Sequence, residues 1–273
     1  MELKFVSHYI SHQPDASGFI TYSAEENAVW HTLFTRQFQL LENRACHEFI
    51  QGLTELQLDA TSIPQLPNIS KHLQKISGWE VAAVPALISA RQFFELLANK
   101  RFPAATFIRH RESLDYVKEP DIFHEIFGHC PMLTNTVYAN FIHQYANQVL
   151  NLPEAHWPLL QRLFWFTVEF GLIRTPEGIR AYGGGILSSI RETVYSVESD
   201  MPLRVDFNPI AALRTPYRID QLQPVYFVIN HYDSLYALTY HLPEIIKKSQ
   251  KLGEYPPLFA IDENNPNIHI NAC

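Results

Sequence analysis

One carboxylate restricts the possible folds of this chain more than any other residue. Glu169 lies within Leu163-Phe164-Trp165-Phe166-Thr167-Val168-Glu169-Phe170-Gly171-Leu172-Ile173, an apolar and aromatic run with no basic residue before Arg174. An unpartnered carboxylate buried there is costly and neutralises itself through a raised pKa. The fold must therefore bring something cationic to it. The sequence offers Pro120-Asp121-Ile122-Phe123-His124-Glu125-Ile126-Phe127-Gly128-His129-Cys130-Pro131 further upstream. Two histidines and a distant carboxylate in aromatic surroundings form the ligand set of a mononuclear non-haem iron(II) site with open positions.

The histidine spacing sharpens this reading. His124 and His129 are five apart, which on a regular α-helix separates them by about 140°. They converge on one ion only if the helix ends or bulges between them, and Gly128 and Pro131 give it reason to. The zinc-protease motif needs histidines at i and i+4 with a glutamate base between. Here the string His-Glu-Ile-Phe-Gly-His is one residue too long, so a zinc hydrolase is a weak rival. The plainer reading makes both histidines ordinary core residues of a helical interaction module, with Glu169 paired to Arg174 or Arg180. With 13 histidines in the chain, a chance pair is no surprise. The coincidence of that pair with an apolar-flanked carboxylate favours a metal, and N/O ligands suit iron at least as well as zinc.

Composition sets the frame. A chain of 273 residues with 47% hydrophobic and 13% aromatic content is globular, with room for a substantial core. A net charge of −7 without any long basic stretch argues against nucleic acid. Cys46, Cys130 and Cys273 form no CxxC pair, which suits a reducing, cytoplasmic setting. The N-terminal residues 1–8 lack the apolar core of a signal peptide, and no run approaches a membrane span. There is no linker or repeat, so residues 1–273 read as a single domain.

Helical signals dominate. Ser23-Ala24-Glu25-Glu26 is a capping box before Val29, Trp30, Leu33 and Phe34 at helical spacing. Residues 64–77 read as a helix closed by Gly78. Ser89 caps a helix that Arg101-Phe102-Pro103 breaks. Asp121 is an N-cap for the histidine helix. Residues 135–150 and 154–173 read as long helices, and 188–197 as another. Residues 225–229 are the clearest strand, and 233–249 form a helix interrupted at Pro243. The expected fold is mainly α with a few short β-strands.

Three further features bear on chemistry. Arg109 closes the apolar Thr106-Phe107-Ile108 and could clasp a carboxylate with its bidentate fork; its plain alternative is a surface ion pair with Glu112 or Asp115. Trp165, four residues before Glu169, shares that residue's helical face and would wall any metal. Gly183-Gly184-Gly185 permits close backbone approach and is no phosphate loop.

Pro-Asp-Ile-Phe-His-Glu-Ile-Phe-Gly-His, Trp-Phe-Thr-Val-Glu-Phe-Gly-Leu and Ala-Tyr-Gly-Gly-Gly-Ile-Leu-Ser-Ser, in this order, together resemble the pterin-dependent aromatic amino acid hydroxylases from about Tyr22 to Tyr232. The resemblance implies a mostly helical catalytic domain using Fe(II), tetrahydrobiopterin or a related tetrahydropterin such as monapterin, and O2. By matching position, His124, His129 and Glu169 are the implied metal ligands. Arg109 and Ser188 are implied as anchors of the substrate carboxylate, with Pro120 and Trp165 as walls. Phe93 matches the ring that stacks on the pterin, and Glu125 the carboxylate beside it.

Val117, Pro103 and Phe164 depart from the threonine, histidine and tyrosine of animal members, so the animal hydrogen-bond network is not carried over. Neither the regulatory domain nor the tetramerisation helix of those members is expected here, since the tail after Gln250 has no heptads. The likeness is to short bacterial members, a monomer or dimer acting on L-phenylalanine, with tryptophan hydroxylation on the same site as the alternative.

Overall fold

The computed structural model describes residues 9–259. The N-terminal octet read for a leader, Cys273, and the tail beyond Phe259 lie outside that range. Helices form where caps and apolar spacing coincide. The Ser23 box is complete: Ser23 Oγ accepts from Glu26 N, and Glu26 Oε2 accepts from Ser23 N. It opens α1 (Ala24–Phe38), and such a cap contributes about 1 kcal/mol. After α2 (His47–Glu55), α3 (Leu66–Ile76) stops before Gly78, which takes a φ of 77°, a conformation open to glycine without strain. Ser89 caps α4 (Ala90–Ala98), accepting from Gln92 N.

One expectation is met with an addition and one fails here, for stated reasons. Arg101-Phe102-Pro103 does end α4, but it also begins β2 (Arg101–Ala105), which runs parallel to β1 (Glu80–Val84). Pro103 is tolerated because both strands of a two-stranded sheet are edges. The long helix expected over 154–173 is divided. After α5 (Thr136–Leu150), capped by Asn135, come a 3₁₀ turn (Glu154–His156) and α6 (Trp157–Phe164). A π-helical turn (Trp165–Glu169) and β3 (Leu172–Thr175) follow. Helical periodicity and an apolar strand read alike when no polar residue marks the change.

The rest of the chain is β4 (Gly178–Ala181), α7 (Gly184–Leu187), α8 (Ile190–Glu198), β5 (Leu203–Asp206), α9 (Pro209–Arg214) and β6 (Val225–Ile229). These strands form a sheet of order β4-β3-β6-β5, with β4 antiparallel to β3 and β6 parallel to both its neighbours. All of β6 is buried, as its apolar run requires. α10 (Asp233–Leu238) and α11 (Leu242–Leu252) are separated by a 3₁₀ turn just before Pro243. The fold is thus mainly α with short strands.

The core lies directly behind the histidine segment. Phe127 meets Phe34 and Phe49 edge to face at 5.2 and 5.7 Å, and stacks on Phe123 at 4.7 Å. Trp30, fully buried, abuts Phe123. This packing fixes the rotation of the segment that carries His124 and His129.

Candidate metal centre and substrate cavity

Phe123–His129 is π-helical. Its i→i+5 bonding step places residues five apart on one face, so the bulge, not an early helix end, resolves the spacing problem. His124 Nε2 and His129 Nε2 lie 3.1 Å apart. Glu169 ends the second π turn, in which Phe170 N donates to Trp165 O at 2.9 Å. Its Oε2 lies 3.2 Å from His129 Nε2 and 3.7 Å from His124 Nε2. One ligand atom from each residue falls within 4.8 Å of the other two. Arg174 instead pairs with Asp206, and Arg180 donates to the carbonyls of Ile179 and Glu177. The cationic partner of Glu169 is therefore not an arginine.

Hydrogen bonding fixes which atoms face the centre. Ser188 Oγ donates to Gly184 O at 2.8 Å, so it accepts from His124 Nδ1 at 2.9 Å. That leaves His124 Nε2 with a lone pair, aimed at the other two ligand atoms. Burial holds His124 down to about 4, outweighing the attraction of Glu169. The ring is neutral and able to ligate at pH 7. Burial would raise Glu169, but His129, then His124 and the Gly185 amide, keep it below the ordinary carboxylate value. Two imidazoles and one carboxylate whose ligand atoms converge fit a divalent ion such as iron(II).

The glycine cluster makes this convergence possible. A Cβ on Gly184 would sit 2.3 Å from the His129 ring, and one on Gly183 would sit 2.3 Å from Glu169 O. Both contacts are shorter than atoms tolerate, so the chain here must lack side chains.

Arg109 corrects the sequence reading. It is 6% exposed and pairs with neither Glu112 nor Asp115. Its Nε and Nη2 donate to the two oxygens of fully buried Asp121, each at 2.8 Å. Asp121 thus takes the Nε–Nη2 side of the guanidinium, and Nη1 reaches Leu114 O at 3.5 Å. Burial alone would raise Asp121, and the guanidinium more than reverses this. Asp121 also accepts from His124 N at 3.0 Å, so it couples the arginine to the histidine turn. Sequence reasoning had seen in Asp121 only a cap.

A cavity of about 1110 Å³ opens in front of the centre. Arg109, Pro120, His124, Glu125, Trp165, Glu169, Ser188 and Phe93 all line it, while His129 sits buried behind. Trp165 is clamped between Phe170 and Tyr217, with centroids 4.4 and 4.6 Å away. Phe93 is held edge to face by Phe94 and Phe164. Burial, then Glu169 and Asp121, push Glu125 well above the ordinary carboxylate value. Val117 and Pro103, the departures noted above, are also on the wall. Glu192 and Gln223 escaped the sequence reading. Gln223 Oε1 accepts the Trp165 indole N–H at 3.1 Å. Ser189 and Glu192 match the Ser-x-x-Glu pattern of a capping box. Only Ser189 fulfils it, accepting from Glu192 N at 3.3 Å.

Comparison with known proteins agrees with this geometry. The family model of the biopterin-dependent aromatic amino acid hydroxylases matches residues 6–258. The phenylalanine-4-hydroxylase of Pseudomonas aeruginosa is 52% identical over 254 residues, covering 93% of this chain and 97% of that protein. Among solved structures, phenylalanine hydroxylase from Legionella pneumophila superposes with a TM-score of 0.90 at 62% identity, covering 92% of this chain and all of that one. The Chromobacterium violaceum enzyme with bound iron(III) and oxidised cofactor 7,8-dihydrobiopterin superposes at 0.84 with 40% identity, covering 92% and 93%. The zinc hydrolase and the interaction module find no support beside these. The chain belongs to the biopterin-dependent aromatic amino acid hydroxylase family.

Proposed function

We propose that this chain is a phenylalanine 4-monooxygenase that converts L-phenylalanine to L-tyrosine with O2 and a tetrahydropterin, using iron(II) held by His124, His129 and Glu169. The observation that carries the reading is the convergence of these three ligand atoms within 4.8 Å at the base of a cavity lined by Arg109 and Trp165. When bound, iron(II) and the reduced pterin supply the electrons and the oxygen activation for ring hydroxylation.

The protein's own part is to bind, orient and exclude water. Asp121 holds Nε and one hydrogen of Nη2, and Nη1 makes a long 3.5 Å contact to Leu114 O, so the remaining Nη hydrogens on the outer edge serve the substrate carboxylate. Ser188 fixes the His124 ring and stands beside that carboxylate. Trp165 and Pro120 confine the aromatic ring, turning it toward the ligand triad. Phe93, immobilised by two neighbouring rings, offers a face for a flat heterocycle, and Glu125 an acceptor for its N–H groups. Ring clamping restricts the substrate to a reactive pose, a contribution to rate through proximity and orientation.

Residues 1–273 work as one catalytic domain in a reducing, cytoplasmic compartment, where buried Cys46 and Cys130 remain thiols. No helix among the described residues is long and apolar enough to cross a membrane. The test is tyrosine formation from L-phenylalanine with O2, iron(II) and tetrahydrobiopterin, each omitted in turn. Tyrosine that needs all three is the expected result. Pterin oxidation without tyrosine would keep the hydroxylase site and redirect the substrate to tryptophan.

A further inference from the structure

Glu192 is a buried acid on the cavity wall that nothing above employs. It is 5% exposed and lines the cavity together with Arg109, Ser188 and Trp165. Both hydrogen bonds it accepts arrive at one oxygen: Gln223 N donates to Oε1 at 3.1 Å, and Tyr226 OH donates to the same atom. Among the described residues, Oε2 has no protein donor. Arg191 acts on the carboxylate only at a distance. The group is therefore aimed and fixed, yet incomplete. A buried carboxylate with an open oxygen is costly to keep unless a ligand completes it.

The same network reaches the aromatic wall. Gln223 Oε1 holds the Trp165 indole, while its Nε2 donates to Arg218 O at 2.8 Å and Gln221 O at 3.0 Å. Whatever completes Glu192 thus sits beside the ring clamp and within the same cavity as Arg109. An α-amino acid carries three recognisable groups, and two already have partners: the carboxylate at Arg109 and the ring at Trp165. The third is an ammonium. Other acids of the cavity are less suited to it. Asp115 and Asp220 are exposed and paired with Arg36 and Arg218. Glu169 faces the histidines, Glu125 adjoins them in the chain, and Glu119 belongs to the partly exposed 115–119 segment.

We propose that Glu192 Oε2 receives the substrate's α-ammonium group and so makes the cavity selective for amino acids over the matching desamino and hydroxy acids. This rests on the reading of L-phenylalanine as substrate. Glu192→Gln is a sharp probe of it. Gln223 N and Tyr226 OH both donate, so the amide oxygen of the variant takes the Oε1 place and its NH2 turns to the cavity. A donor then faces the ammonium, where an acceptor stood.

The experiment is calorimetric titration of the iron-loaded protein, without oxygen, with L-phenylalanine, 3-phenylpropanoate and 3-phenyllactate. Wild type is expected to bind L-phenylalanine about tenfold or more tightly than either analogue. Glu192→Gln should lose about tenfold or more on L-phenylalanine and stay within about twofold on 3-phenylpropanoate. Equal loss on both ligands, or no loss on L-phenylalanine, overturns the proposal. If the variant does not fold by circular dichroism, the wild-type series decides alone, and 3-phenyllactate binding as tightly as L-phenylalanine overturns it. Tyrosine production by wild type separates the two levels. Its absence removes the substrate reading itself, whereas tyrosine with unaltered Glu192→Gln binding removes only the role of Glu192.

Discussion

The two π-helical turns that supply the proposed metal ligands are anchored mostly by different means, although Gly184 also gives the His129 ring its room. Around the histidine turn the anchors are charged and polar: Asp121 accepts from Arg109 Nε, Nη2 and N and from His124 N, while Ser188 Oγ accepts from the ring itself. Around the glutamate turn they are mostly steric. Gly171 and Gly183 let backbone approach where a Cβ would lie 2.3 Å from Thr167 O and Glu169 O, and one hydroxyl, that of Thr167, adds a polar contact. A turn fixed by charge should fail when a charge is removed or a proton added. A turn fixed by shape should fail when volume is added. Metal sites need both kinds, because charge sets what a ligand atom is and shape sets where it is.

The largest effect is expected from Asp121→Ala. It strands the buried Arg109 guanidinium, and breaking a buried pair from one side costs about 3–5 kcal/mol. Urea denaturation of the metal-free protein measures it. A loss below about 1 kcal/mol would show that the histidine turn does not depend on its charges.

Protonation is the next test of the same contrast. The folded value of His124, about 4, lies below its ordinary 6.5. Between those values the unfolded chain binds a proton that the native state does not. Stability of the metal-free protein is therefore full above about pH 6.5 and lost progressively as pH falls toward 4. The shift corresponds to about 3 kcal/mol at most. His124→Asn should flatten that window, and a window unchanged by this substitution would remove His124 as its source.

The contrast also separates what the sequence disclosed from what it hid. Polar anomalies were legible: Glu169 in an apolar run announced a partner, and the histidine spacing announced a break in helical regularity. The caps at Ser23 and Ser89 located their helices because capping is local chemistry. Geometry created by distant partners was not legible. Nothing near Arg109 marks Asp121, twelve residues on, as its mate over Glu112 or Asp115. The 154–173 run held no signal for its passage from α to π to strand. Glu192 lies 31 residues from the amide that holds it. The family motifs named the ligands, but they could not say that Arg109 already has one side occupied.

Volume is the complementary probe. Gly184→Ala places a methyl group against the His129 ring, which has little room to retreat behind the cavity. Displacing a ligand or its support typically costs 10–100-fold in metal affinity. Titration of the metal-free variant with iron(II) or cobalt(II) should show a loss of about that size. Charge is untouched, so the pH window of His124 should persist. Metal affinity equal to wild type would mean that the close approach at Gly184 is incidental.

The smallest effect is expected at the one hydroxyl inside the glutamate turn. Thr167 Oγ1 donates to Leu163 O at 2.7 Å and reaches Phe164 O at 3.3 Å, serving carbonyls at the junction where α6 gives way to the π turn. Thr167→Val keeps the shape and removes the bond. A single neutral hydrogen bond contributes about 1 kcal/mol, and the carbonyls retain backbone partners nearby. The melting temperature should fall by about 2–4 °C for a chain of this size, with metal affinity changed by no more than about threefold. If steric fit positions Glu169, the isosteric valine preserves it. A loss of metal binding as large as that of Gly184→Ala would instead make the hydroxyl the true anchor, and the two turns would then be held by the same kind of force.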